Sequence, residues 1–267
     1  MLKSEPWLAE VLNRSILVTG APRSGTTLLG NLLHSCDGVE YCFEPKTVLP
    51  LLALIDTVPE SAWRVLFETA LVADAMMERV AGRTMNFNTF DETYFGRAKV
   101  MSDEDARLSH SWSAAESQVA CERRTLVWKS PEAGIWTRDL QRLYPGMRVV
   151  CIWRAEEEVV KSMIARGWFV GRKEARWFHQ EGDQPFWWHR RRGIGLNKFW
   201  IDLDEEEKAS TLWFSVLDGM REAVCLVIYR ELCLSPHRVF SALCAFLGLK
   251  YGPRTEGLLS TLRTGRE

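Results

Sequence analysis

Apolar residues gather in five short blocks along this chain: ILVT (16–19), VEYCF (39–43), TLVW (125–128), RVVCIW (148–153) and CLVIY (225–229). Each block stops abruptly at a polar or glycine-bearing turn. Runs of this length, rich in Val and Ile and lacking polar alternation, predict strands covered on both faces, as in a parallel sheet. The period changes between them. TTLLGNLLHSC sets Leu28, Leu29, Leu32 and Leu33 on one helical face. AEEEVVKSMIARG opens with Glu156 to Glu158, where the helix dipole favours negative charge, and closes at Arg166 and Gly167. SPHRVFSALCAFLGL starts on Ser-Pro, ends at Gly248 and turns Val239, Phe240, Leu243 and Leu247 inward. Strand then helix, repeated, predicts an α/β fold with a parallel central sheet flanked by helices.

Two stretches interrupt this alternation. Residues 56–120 read as a helical insertion, clearest in SAWRVLFETALVADAMMERVAG. Residues 168–200 carry nine Trp and Phe side chains among basic residues and show no clean period. The second stretch has two open readings: a lid whose aromatic walls and arginines receive a ligand, or an ordinary packed insertion with solvated arginines.

Composition narrows the picture. A chain of 267 residues with 46% apolar content suits one α/β domain over 1–267, with insertions. A net charge of −1 argues against general nucleic-acid binding. Seven cysteines without a C-x-x-C pair, several inside apolar runs, fit reduced buried thiols better than disulfides or a zinc site. No leader-like apolar run opens the sequence, and VLPLLALI is far short of the ~20 residues that span a bilayer. These features read as a cytoplasmic protein with no membrane partner.

The chemistry starts at GAPRSGTT (20–27), which follows the first strand block and leads into the first helix. Gly20 and Gly25 have the spacing of a phosphate-binding loop, but Thr26 stands where a nucleotide kinase has lysine. Glycines admit a ligand close to the backbone, and a helix N-terminus offers free N–H groups to an anion. Phosphoryl transfer on such a loop uses Mg²⁺, held by a strand-end aspartate. Here the later strand ends deliver Lys129 and Arg154 instead. Fixed cations in place of a metal-binding carboxylate suit the less charged sulfuryl group, and no metal is expected.

With these motifs the chain resembles the sulfotransferases that use 3′-phosphoadenosine 5′-phosphosulfate (PAPS). GAPRSGTTLL matches the family's 5′-phosphosulfate loop, and Arg154 with Ser162 in RAEEEVVKS matches its 3′-phosphate motif. WKSPE matches the lysine–proline element after a middle strand. YREL (229–232), followed by a helix ending in FLGL, matches the late strand, although Arg230 replaces the family's usual acid. In style the motifs come nearest to the carbohydrate and tyrosyl-protein branches.

The resemblance implies a P-loop-type sheet, PAPS as sulfuryl donor and a small-molecule hydroxyl acceptor. Arg23, Ser24, Gly25, Thr26 and Thr27 would hold the 5′-phosphosulfate; Arg23 as a structural ion pair is the competing reading. Lys129 would neutralise the leaving oxygen, unless it is a surface lysine. Arg154 and Ser162 would grip the 3′-phosphate. Glu44 in YCFEP would be the general base, or else only orient the cations. Arg192 and Gly193 in RRRGIG (190–195) resemble a basic donor loop at an unusual place in the order. His179 and His189 stand as reserve bases, whereas His34 reads as packed or surface. An ATP-dependent small-molecule kinase and a catalytically silent nucleotide-binding protein are the rival functions.

Overall fold

The computed structural model describes residues 3–91, 94–99, 101–170, 179–180, 184–190, 198–219 and 225–262. Helix α1 (Pro6–Asn13) leads into strand β1 (Ile16–Thr19), every residue of which is buried. The chain continues through α2 (Thr26–His34) to β2 (Val39–Phe43). Next comes the helical insertion: α3 (Val48–Ala53), α4 (Glu60–Glu68), a π-helical stretch over Thr69–Met77, α5 (Glu78–Val80), α6 (Phe95–Ala98), α7 (Met101–Ser109) and α8 (Ala114–Glu122). Strand β3 (Thr125–Lys129), a 3₁₀ turn (Pro131–Trp136), α9 (Thr137–Leu143), β4 (Arg148–Trp153) and α10 (Glu156–Ile164) follow. A two-stranded antiparallel ribbon, β5 (His179–Gln180) with β6 (Gln184–Pro185), precedes α11 (Glu205–Asp218). The chain closes with β7 (Cys225–Ile228), α12 (Tyr229–Leu234), α13 (Pro236–Leu247) and α14 (Pro253–Thr261).

The central sheet has five strands in the order β2-β3-β1-β4-β7, and every pairing is parallel. Alternation along each strand sends side chains into two separate cores. Leu17, Cys42, Trp128, Val149 and Cys151 face one side, packed under α1, α4, α9, α10 and α11. Ile16, Val18, Tyr41, Val127, Val150 and Ile152 face the other, packed under α2, α12, α13 and α14. Both faces are covered, which is why the strand blocks read as continuous apolar runs. The chain leaves β1 toward the β2 edge and later crosses to β4 on β1's other flank. The loops at the carboxyl end of β1 therefore sit where the winding reverses, the position at which open α/β sheets hold ligands.

The expected segments match these elements closely, with two shifts. Lys129 is the last residue of β3 rather than the residue beyond it, and Tyr229 opens α12 instead of ending β7. The aromatic stretch 168–200 resolves toward packing. Phe169, Phe186, Trp187, Trp188 and Trp200 are buried and join the core on the α11 side, with Trp136 stacked on Phe186. Only Trp168, among the described aromatics of this stretch, lines the cleft beside the β1 loop. Trp177 and Phe178 lie outside the described residues. All seven cysteines are free thiols, five of them buried, as the apolar context suggests. Among the described residues no helix is long and apolar enough to cross a membrane.

Candidate functional site

The loop between β1 and α2 takes its shape from three backbone positions. Gly20 has φ +141°, and a Cβ there would run into the Ile152 carbonyl of β4. Gly25 has φ +99°, and its Cβ would lie 2.6 Å from the Tyr229 ring. Between them Arg23 takes φ +72°, a conformation costly for a side-chain-bearing residue. The loop is tightened by Ser24 N–H donating to the Ala21 carbonyl at 3.0 Å. Helix α2 starts at Thr26 with no side-chain cap. Its first N–H groups are left for an anion. Ser24 is 1% exposed, and its hydroxyl has no hydrogen-bond partner among the described residues. A buried unpartnered donor beside an uncapped helix start is the arrangement an oxyanion completes.

The four other strand ends add side chains to the same cleft. Arg23, Gly25, Thr26, Thr27, Phe43, Glu44, Lys129, Arg154, Trp168 and Tyr229 all line a cavity of about 370 Å³. Lys129 reaches it from the end of β3. Its ammonium donates to Thr27 Oγ1 at 3.3 Å and to Glu44 Oε1, and sits 4.4 Å from the Phe43 ring centre. The lysine is 3% exposed and the glutamate 35%, so the carboxylate is the partner that solvent or a second substrate can reach. Glu44 is placed by its own backbone: its N–H donates to the Lys129 carbonyl at 2.9 Å, and its φ of +38° turns the chain sharply out of β2. Arg23 and Glu44 are the two non-glycine residues with positive φ among those described, and both belong to this cleft.

Arg154 follows β4. Its guanidinium bonds Glu158 Oε2 at 2.7 Å, donates to the Arg23 carbonyl at 3.4 Å and lies 4.7 Å over the Tyr229 ring. Ser162, one turn further along α10, accepts a bond from Arg23 Nε at 3.3 Å. Arg154 and Ser162, the two residues expected to grip a 3′-phosphate, both meet Arg23, and Arg154 takes its acid from the first turn of α10. The three cations nonetheless converge on one cavity. Among the described residues no group of three or more His, Cys, Asp or Glu side chains is placed to hold a metal ion.

Other sequence candidates lie elsewhere. His34 is buried between Tyr41 and Phe95. His189 meets Asp56 at 3.5 Å and does not line the cleft. Arg192, Gly193 and the His179 side chain lie outside the described residues. Tyr229 is a cleft residue that the sequence reading noted only as part of YREL. Burial and the neighbouring Cys233 raise its hydroxyl above the usual phenol range, so it stays a neutral ring under Arg154. Its signal was available: it occupies the same strand-end position as Lys129 and Arg154.

The chain matches the Sulfotransferase family over residues 15–253. Searching curated protein sequences gives no match. Among solved structures, the sulfotransferase domain of the curacin biosynthetic pathway is similar at 16% identity, covering 90% of this chain and 76% of that one, with a TM-score of 0.49. The sulfotransferase domain of the Synechococcus PCC 7002 olefin synthase is similar at 17% identity, covering 90% and 75%, with a TM-score of 0.46. A sulfotransferase from Mycobacterium tuberculosis H37Rv is similar at 16% identity, covering 96% and 73%, with a TM-score of 0.45.

Proposed function

This chain belongs to the sulfotransferase family, and from that premise we propose that it moves a sulfuryl group from PAPS to an acceptor hydroxyl on a small metabolite or sugar-bearing molecule. It acts as a single cytoplasmic domain spanning 1–267. The observation that carries the reading is the meeting of Arg23, Lys129 and Arg154, from three strand ends, in one cleft with Glu44. In this reading the cleft has a direction. The 3′-phosphate lies toward β4 and α10, within reach of Arg154 and Ser162. The 5′-phosphosulfate lies over the β1 loop, held by Arg23, the hydroxyls of Ser24, Thr26 and Thr27, and the start of α2. The acceptor enters from the β2 side, past Phe43.

In the reaction the acceptor oxygen attacks sulfur in line, and the bond from sulfur to the bridging phosphate oxygen breaks. Its electron pair stays on that oxygen, where Lys129 neutralises the growing charge. The acceptor proton passes to Glu44, the more exposed member of the pair. Adenosine 3′,5′-bisphosphate leaves. Side-chain cations supply the neutralisation, so turnover is expected to be unchanged by a chelator.

Thermal melting tests the donor assignment. A ligand at 100 times its Kd stabilises the native state by about 2.7 kcal/mol. Adenosine 3′,5′-bisphosphate is expected to raise the melting temperature by several degrees, and Arg154→Ala to abolish most of that shift. A larger shift with ATP and Mg²⁺ would replace this reading with a kinase. Transfer itself is read as a gain of about 80 Da on an acceptor from a panel of phenols, sugars and nucleosides (one SO₃ group, carried by the cosubstrate).

A further inference from the structure

A second cleft opens on the opposite pole of the sheet. Its floor is the start of β2 at Gly38 and Val39 and the turn into β3, so it lies at the amino ends of the strands. The catalytic cleft lies at their carboxyl ends, and the two share no lining residue. The volume is about 690 Å³, larger than that of the catalytic cleft.

Its charge is one-sided. Lys99 after α6, Arg107 on α7, and Arg123 and Arg124 after α8 all line it, and no described lining residue is a carboxylate. These cations come from three separate elements, unlike the solvated face of a single helix. Three are fixed in place, Arg124 by donating to the Ala120 carbonyl at 3.2 Å. Lys99 Nζ donates to the Cys36 carbonyl at 3.0 Å. Arg107 is 8% exposed, held by Glu40 at 2.9 Å and by the Arg79 carbonyl at 3.2 Å. Among the described residues that line the cleft, every Lys, Arg, Asp or Glu is a cation. Glu40 is fully buried behind the cleft and shared between Arg107 and Arg79, while Glu116 faces His110 at 3.4 Å. His34 is buried behind the same cations. Burial first, and then Lys99, Arg79 and Arg107, lower its pKa well below 6.5. The chain as a whole carries a net charge of −1, so this one-sided lining is local. Trp112, its ring 4.8 Å from His110, closes one wall.

We infer that this cleft is a second anion site, distinct from the donor site, for an oligoanion bearing clustered phosphate or sulfate groups. Several fixed guanidinium and ammonium groups facing one cavity favour several linked oxyanions over a single one, because each added charge meets its own partner. Lys99 and Arg124 are half-buried and Arg107 is buried, so these three are screened less than the exposed Arg123, and the preference persists at physiological salt.

The test is calorimetric titration with inorganic tripolyphosphate, while saturating adenosine 3′,5′-bisphosphate fills the catalytic cleft. The expected result is one further site, bound at least tenfold more tightly than inorganic sulfate. Arg123→Glu is expected to weaken it at least tenfold, and Lys99→Gln several-fold, with melting temperature and sulfuryl transfer unchanged in Arg123→Glu. Arg123 is exposed and its substitution leaves the core intact, so loss of binding there is not a folding effect. Absence of a saturable second site, affinity no better than for sulfate, or equal affinity in wild type and Arg123→Glu would each overturn the inference. The comparison between wild type and Arg123→Glu is independent of the donor assignment. It can be repeated in Arg154→Ala if adenosine bisphosphate fails to bind.

Discussion

At the scale of single residues, the cleft is organised around pairs. Glu44 and Lys129 are the central one: the ammonium is buried and the carboxylate half-exposed, so each can serve a different substrate. Removing a general base costs about 10²–10⁴ in rate. Glu44→Gln is therefore expected to lose turnover by that order while adenosine bisphosphate affinity stays within about threefold. Unchanged turnover in steady-state assays would reassign the carboxylate to orienting Lys129. Tyr229 and Arg154 form the second pair. A cation over an aromatic face contributes about 0.5–2 kcal/mol. Tyr229→Leu is expected to weaken adenosine 3′,5′-bisphosphate several-fold, Tyr229→Phe to restore it, and the affinity for a mononucleotide without the 3′-phosphate to change little. Titration of the three proteins distinguishes this from simple loss of packing, which would affect both ligands alike.

At the scale of elements, the turn from β1 into α2 is the most constrained. Gly25 combines φ +99° with a Tyr229 ring where a Cβ would lie. Gly25→Ala is expected to cost on the order of 1–3 kcal/mol of stability from backbone strain alone, and to abolish adenosine bisphosphate binding, both read from melting curves with and without ligand. The loop, strands and helices were legible in the sequence because local chemistry specified them: fully buried strands give unbroken apolar blocks, and Gly20 and Gly25 sit where only glycine fits. Other parts were not. The π-helical stretch at Thr69–Met77 lies inside a largely apolar helical run, and its wider winding leaves no mark in residue type. The partners of Arg23, Arg154 and Ser162 depend on how α10 packs, a tertiary fact with no local signature. Residues 168–200 looked irregular because Trp187 and Trp200 bury in a core built from distant segments rather than along one periodic face. Lys99, Arg107, Arg123 and Arg124 are spread over 26 positions of the chain, so their shared cleft could not be read from spacing.

At the scale of the whole molecule, the burial of His34, reinforced by the cations behind β2, makes stability depend on pH. His34 is neutral when folded, with its pKa lowered by burial and by Lys99, Arg79 and Arg107, between the rings of Tyr41 and Phe95. Below the unfolded-state value of 6.5 the unfolded chain binds a proton that the native state refuses, so stability rises with pH in that window and falls on acidification. Urea unfolding at pH 7 and pH 5 is expected to show a smaller loss for His34→Gln than for wild type. An equal loss in both would show that His34 does not contribute to the acid response.

The five strand ends that meet at the cleft are far apart in sequence: the β1 loop begins at Gly20, while Tyr229 arrives more than two hundred residues later. A fragment ending before β7 holds Arg23, Glu44, Lys129 and Arg154 but lacks the Tyr229 ring that lies under Arg154. The cleft is therefore complete only when β7 pairs with β4, and the melting shift expected with adenosine 3′,5′-bisphosphate would report on that last strand taking its place.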